Sequence, residues 1–388
     1  MGLKIMNIRA MESKLPDRQA GFTLAELMVG MTIGMLVLSG VVSAYVSSSR
    51  AGNASQDSAE QVENGRQAIE FISYDLRHAG YFGQMGSLPT PTVALPDPCE
   101  TGNLVTLFNA MAFPVQAYNA PAATPLNCLG AADFVPGTDI LVVRRASSEP
   151  LAPADVPQLG AIYLQANTGA AELQIGDDTS AIGTTLKADG SAATILNRDG
   201  VTSAPIQRLL VHIYFIAPCA MPANGGASCT GALDDEGSPI PTLKRLELSA
   251  VGGAAQMTIV PLVAGVENMQ FDYGLDNLPT TVDSITGLIG DGTPDCEDVD
   301  PGSLVNAGVT AGCAVANPGA VLEWTNVVHA EAHILARSYR PVSNYANTKT
   351  YNLGLGLNAL TPGGSFKRHT YSSTVRFTNV SARREIPI

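Results

Sequence analysis

An α+β fold is predicted: one long N-terminal helix whose first half can span a membrane, packed on a mainly antiparallel β-sheet head with long loops. Three observations predict it. Residues Phe22 to Val46 are almost wholly apolar, and about 20 such residues cross the hydrocarbon core of a bilayer. From Val62 to Ala79, small and apolar residues recur at the three- and four-residue spacing of a helix stripe. Beyond residue 104, short apolar runs bounded by Gly, Pro, Asn or Asp follow one another, and runs of short strands after a helix pack as a sheet against it.

The apolar stretch contains one carboxylate, Glu26. An acidic residue at a helix centre costs roughly 2.5 to 3.5 kcal/mol on insertion, less near an end, so it calls for a partner. No Lys, Arg or His lies between Phe22 and Arg50. The expected partner is therefore another chain, a free amino terminus or lipid headgroups. Upstream, Met1 to Ala20 is polar and basic, with Lys4, Arg9, Lys14 and Arg18 against Glu12 and Asp17. A secretory signal places its apolar core before the cleavage site, and here that order is inverted. Cutting after Gly21 would keep the helix and free an amine at Phe22.

The run Gly21-Phe22-Thr23-Leu24-Ala25-Glu26-Leu27 resembles the processing site of type IV prepilins and the related pseudopilins. The resemblance implies cleavage after Gly21 by prepilin peptidase, N-methylation of Phe22, and an assembly role for Glu26, which would pair with a subunit's amino terminus. The bland alternative is a plain signal-anchor helix whose Glu26 snorkels to the interface.

After Val46 the composition turns small and polar, yet no proline occurs from Phe22 to Ser87. One helix can run to about His78, roughly 85 Å at 1.5 Å per residue. Its stripe is Val62, Gly65, Ile69, Ile72, Leu76 and Ala79. Gly30 and Gly34 form a GxxxG pair suited to close helix packing, or simply follow the usual glycine content of membrane helices. Gly80 and Gly83 can end the helix. The stretches Glu63-Asn64-Gly65-Arg66-Gln67-Ala68-Ile69 and Arg77-His78-Ala79-Gly80-Tyr81-Phe82-Gly83 are similar to those of the PilW-type minor pilin family, with His78 a local departure. Gly265 to Asp276, Arg337-Ser338, Tyr371 to Val380 and Arg383-Arg384 resemble the family's segment before an acidic loop and its closing strands. The family often places a cysteine soon after the helix end, whereas the first here is Cys99.

Within the head, a short strand is expected around Leu104 to Phe108. Further strands are expected at Asp139 to Arg144, Ala161 to Gln165, Ile206 to Ile216, Leu243 to Ala250, Met257 to Leu262 and Val266 to Tyr273. Near the C-terminus, Val328, Ala330, Ala332, Ile334 and Ala336 alternate with His329, Glu331, His333, Leu335 and Arg337, a period-two strand. His329, Glu331 and His333 thus share a face and could offer metal ligands, but a solvated strand face explains the pattern equally and the metal is unknown. Six cysteines, Cys99, Cys128, Cys219, Cys229, Cys296 and Cys313, allow fifteen pairings. Neighbour pairing is the simplest guess and suits an oxidising compartment.

A loop holding Asp291, Asp295, Glu297, Asp298 and Asp300 is a candidate calcium loop, since calcium takes six to eight oxygens. Its spacing is not that of an EF-hand. No other cofactor is expected. No GxSxG, P-loop or HExxH sequence occurs, so the chain reads as non-enzymatic. Removing a leader with two more basic than acidic residues takes the formal charge from −13 to −15. Such a chain repels a phosphate backbone, and direct nucleic-acid binding is not expected.

The expected organisation is a leader (1–21), a transmembrane half-helix (22–46), an amphipathic half-helix (47–80) and a β-rich periplasmic or extracellular head (81–388). The resemblance implies a minor pilin that helps initiate type IV pilus assembly and sits at or near the tip. The implied partners are other minor pilins, the major pilin, a tip adhesin, prepilin peptidase with its methyltransferase activity, and the inner-membrane assembly platform. The subunit would sit in the inner membrane before assembly and on the cell surface afterwards. A type II secretion pseudopilin shares the same helix plan. A membrane-tethered periplasmic calcium-binding protein or enzyme is the reading from another class.

Overall fold

A computed structural model describes residues 21–152, 155–176, 195–278, 288–303, 320–355 and 359–385. Helix α1, Leu24–His78, is 55 residues long and apolar enough in its early part to cross a membrane. The chain divides into two units, residues 1–56 and 57–388.

In the first unit the described residues are helical from Leu24 onward, and the apolar side chains from Phe22 to Val46 are uncovered. An uncovered apolar stretch of this length fits lipid or other helices as its medium.

The second unit begins inside α1. Its remaining elements are α2 (Leu104–Ala110), β1 (Val115–Tyr118), β2 (Ile140–Ala146), β3 (Ile162–Ala166), β4 (Ala171–Ile175), β5 (Ile206–Ala217), β6 (Thr242–Val251), β7 (Ala254–Ala264), β8 (Val266–Leu275), β9 (Cys296–Asp298), β10 (Val327–Arg337), β11 (Arg368–Arg376) and α3 (Thr378–Ser381). Among the described residues they form two sheets. In the larger, β1-β2-β5-β3-β4 run in order and β6 and β7 extend from β5; the smaller has the order β11-β10-β8-β9. Every pairing is antiparallel.

The core explains the arrangement. Ala68, Ile72 and Leu76 of α1, and Ala79 just after it, pack with Tyr214 and Ile216 of β5 and with Met269, Phe271, Ala330, Ala332 and Ile334 of the smaller sheet. A second cluster covers the other face of the larger sheet, where Leu209, Val211, Ile213 and Phe215 of β5 meet Leu107 of α2 and the buried Cys219 and Cys229. Strand β5 is therefore apolar on both sides, which is why it lacks a clean alternation.

Three local expectations are corrected. Residues 104–108 form a helix rather than a strand, because Asn103 caps the chain there, its side chain accepting from the backbone N–H groups of Val105 and Thr106. The expected α1 stripe faces the core at Gly65, Ile69, Ile72, Leu76 and Ala79 but not at its first residue: Val62 is 55% exposed while Gln61 is buried at 7%. The closing strand stops at Arg376, and Thr378–Ser381 turns into α3.

Candidate functional site

At the amino-terminal end, Gly21 has no neighbour within 4 Å of where a side chain would start, and Phe22 is 89% exposed. Thr23 precedes the helix, and Glu26 lies in its first turn. Thr23 N and Thr23 Oγ1 each donate to Glu26 Oε2 at 2.9 Å, and Glu26 N donates to Thr23 Oγ1 at 3.2 Å. This is a capping box, in which hydroxyl and carboxylate satisfy each other's orphan amides. Thr23 is a neutral partner, so the rule that an acid in an apolar helix needs an opposite charge does not point to it. Among the described residues the carboxylate has hydrogen bonds at home but no counter-charge. Gly30, Gly34 and Gly40 also have open space where a Cβ would stand.

Within the head unit, α1 is seated on both sheets by polar contacts as well as by its apolar stripe. Asp75, 1% exposed, faces β2, β5 and β6. Arg145 Nε and Nη2 lie 2.9 Å from its Oδ1, and His212 Nδ1 lies 2.5 Å from its Oδ2. The Tyr214 hydroxyl donates to the same Oδ2, and Arg245 Nη1 stands 3.6 Å away. Burial alone would raise the Asp75 pKa, but the His212 hydrogen bond, the charges of His212 and Arg145, and the Tyr214 hydroxyl together hold it far below the usual carboxylate range. Burial, followed by the neighbouring Asp75 charge, drives the Tyr214 phenol up.

On the smaller sheet, Gln61 Nε2 donates to the carbonyls of Ala336 (2.8 Å) and Lys367 (3.0 Å), and Asn64 Nδ2 meets the Tyr339 hydroxyl at 2.5 Å. The Tyr371 ring of β11 occupies the space that a side chain on Gly65 would need. The Glu63 to Ile69 stretch is therefore a docking strip for β10 and β11. At the helix end, Gly80 and Gly83 take positive φ (+72° and +61°), a region that costs a side chain 1 to 2 kcal/mol. The C-terminal segment returns to this corner: Asn379 Nδ2 donates to the Ala79 carbonyl, and Arg383 donates to the carbonyls of Gly86 and Met85.

Residues 232–379 match the family described as type IV pilus-assembly protein W. Residues 16–42 match the prokaryotic N-terminal methylation motif. Together the two matches support a PilW-type type IV pilin. No curated protein and no solved structure matches it. The head match takes in β6 to β11, and so contains the whole smaller sheet.

In this PilW-type pilin the acidic loop is stitched to the sheet rather than gathered round a point. Asp276 Oδ1 and Oδ2 accept from the backbone N–H groups of Asp291 and Gly292, and Asp295 Oδ2 accepts from those of Asn277 and Leu278. Asp291 accepts from Thr293 N and Asp298 from Asp300 N, both in local turns. Among the described residues, no three of Asp291, Asp295, Glu297, Asp298 and Asp300 bring oxygens within 4.8 Å of one another. Burial raises the Asp298 and Asp300 carboxyls, and Asp298 adds to the shift of Asp300. The buried Arg384 ties the loop down by donating to the carbonyls of Asp276, Ile289 and Thr325.

Disulfides join Cys99 to Cys128 and Cys219 to Cys229. Cys296 is also disulfide-bonded, and Cys313 lies outside the described residues. The three face-sharing residues of β10 divide: His329 Nε2 faces Glu297 Oε1 at 3.8 Å, while His333 Nε2 lies 3.0 Å from Asp272 Oδ2 on β8.

Proposed function

We propose that this PilW-type pilin is cut after Gly21, methylated on Phe22, and helps to initiate type IV pilus assembly from a position at or near the tip. The observation that carries the reading is the uncovered apolar helix with one carboxylate, Glu26, beside the glycine of a methylation motif. Lipid covers such a helix before assembly. Neighbouring subunit helices cover it afterwards, and Glu26 then gains the amine of a processed Phe22 as a counter-charge. A head of about 310 residues favours the end of a fibre, where packing is one-sided. The partners on this reading are other minor pilins, the major pilin, a tip adhesin, prepilin peptidase and the inner-membrane assembly platform. The role is structural rather than catalytic.

Mass spectrometry of the subunit isolated from cells tests the first step, with an N-methylated Phe22 expected at the amino terminus. Gly21→Leu should leave the leader attached and the subunit in the inner membrane. A normally processed band from that variant, or a native protein beginning at Met1, overturns the reading. Gold labelling of a head epitope should mark fibre ends, and label spread evenly along shafts would remove the tip placement.

A further inference from the structure

The smaller sheet carries a cluster that the assembly role does not use. On the face of β8 and β10 turned away from the core, Glu331 stands directly opposite Asp272, and His333 is two residues along the same strand face. Antiparallel register brings such opposite and diagonal side chains together. His333 Nε2 lies 3.0 Å from Asp272 Oδ2 and 4.0 Å from Glu331 Oε1, and the three ligand atoms all fall within 4.8 Å of one another. We propose that Asp272, Glu331 and His333 bind one divalent transition cation of the zinc class.

The distances fit. Two donors each about 2.1 Å from a cation stand roughly 3.0 Å apart at a right angle and roughly 3.4 Å apart in a tetrahedron. Small side-chain rotations of Glu331 bring the set to that spacing. The support around it also fits. Leu355 N lies 3.1 Å from both Asp272 oxygens, and the carboxylate fills the space where Gly354, at φ +99°, would carry a side chain. Asp272 is thereby fixed in orientation by a backbone strap, the kind of outer support that tunes a metal ligand. Exposure is graded, with the side chains of Asp272, His333 and Glu331 at 6%, 13% and 34%, so the cluster is open on the Glu331 side for entry and for a water ligand. Among the described residues, the ion pairs made by these two carboxylates are with His333. One imidazole and two carboxylates suit zinc, manganese, cobalt or nickel, and three protein ligands leave a coordination position free. His329 is directed elsewhere, towards Glu297.

The test uses the mature chain in detergent, without a polyhistidine tag, stripped by a chelator and titrated with zinc chloride by calorimetry and by thermal unfolding. One zinc should bind per chain and raise Tm as its concentration rises. Glu331→Gln, on a half-exposed side chain, should keep the zinc-free Tm and weaken binding about tenfold or more; His333→Gln should do the same. X-ray absorption of the zinc-loaded protein should show nitrogen and oxygen neighbours including one imidazole. No heat and no Tm shift at millimolar zinc would overturn the proposal. Zinc binding undiminished in Glu331→Gln would overturn it equally, since the cation would then sit elsewhere.

Discussion

Asp75 illustrates how one side chain can fasten an element. It lies on the head-facing side of α1, with a guanidinium, an imidazole and a phenol from two strands converging on its oxygens. Removing one partner of such a buried set leaves the others uncompensated, at a cost of about 3 to 5 kcal/mol. Asp75→Asn should lower the urea midpoint accordingly. The sign of the pH effect follows from a folded-state pKa held below that of the unfolded chain. The stabilisation is complete above the ~3.9 of an unfolded aspartate and is lost as pH falls below that value. Acid titration followed by circular dichroism should show the native protein losing stability below about pH 4, with a flatter profile for Asp75→Asn. Gly65 offers a second case. Alanine normally favours a helix over glycine by about 1 kcal/mol, but here the Tyr371 ring stands in the way, and overpacking costs about 1 to 3 kcal/mol. Gly65→Ala should therefore destabilise the native protein and stabilise a Tyr371→Ala background. An unchanged sign in the two backgrounds would show that the ring does not limit residue 65.

Elements were legible where a single rule governs them. The span of α1 follows from an unbroken run without proline, β5, β6 and β8 follow from apolar-rich runs bounded by Gly or Pro, and β10 follows from its period-two alternation. α2 was misread because Leu104 to Phe108 is too short for its period to speak, and the deciding signal was Asn103 in front of it. Short β1, β4 and β9 carry too few residues for any pattern. The seat of Asp75 was not visible at all, since Arg145 and His212 lie 70 and 137 residues away and nothing local announces them. The capping box is legible in Thr23 and Glu26, which stand three positions apart as S/T-x-x-E. Disulfides act at this scale too. On a chain-entropy account, bridges spanning 29 and 10 residues contribute about 3.6 and about 2.7 kcal/mol. The double alanine variant at Cys99 and Cys128 should thus lose more stability than that at Cys219 and Cys229. The reverse order would mean that core packing of Cys219 and Cys229 outweighs loop closure.

For the whole molecule, the question is whether Glu26 serves as a cap, as a charge, or as both. Glutamine at residue 26 can still accept from Thr23 but carries no charge, whereas valine can do neither. Both variants should be processed if, as proposed, the cut is read at Gly21. If a counter-charge from a processed terminus drives incorporation, Glu26→Gln and Glu26→Val should both abolish piliation when expressed as sole copy. Normal pili with Glu26→Gln would show that capping alone suffices. The uncovered stretch from Phe22 to Val46 has a consequence for the life of the subunit. On the proposed reading the helix spans lipid, and because insertion of a spanning helix is effectively irreversible in water, the subunit would have no free soluble stage. It would then pass sideways from bilayer to fibre, and a fibre that sheds it would return it to the bilayer, ready for use again.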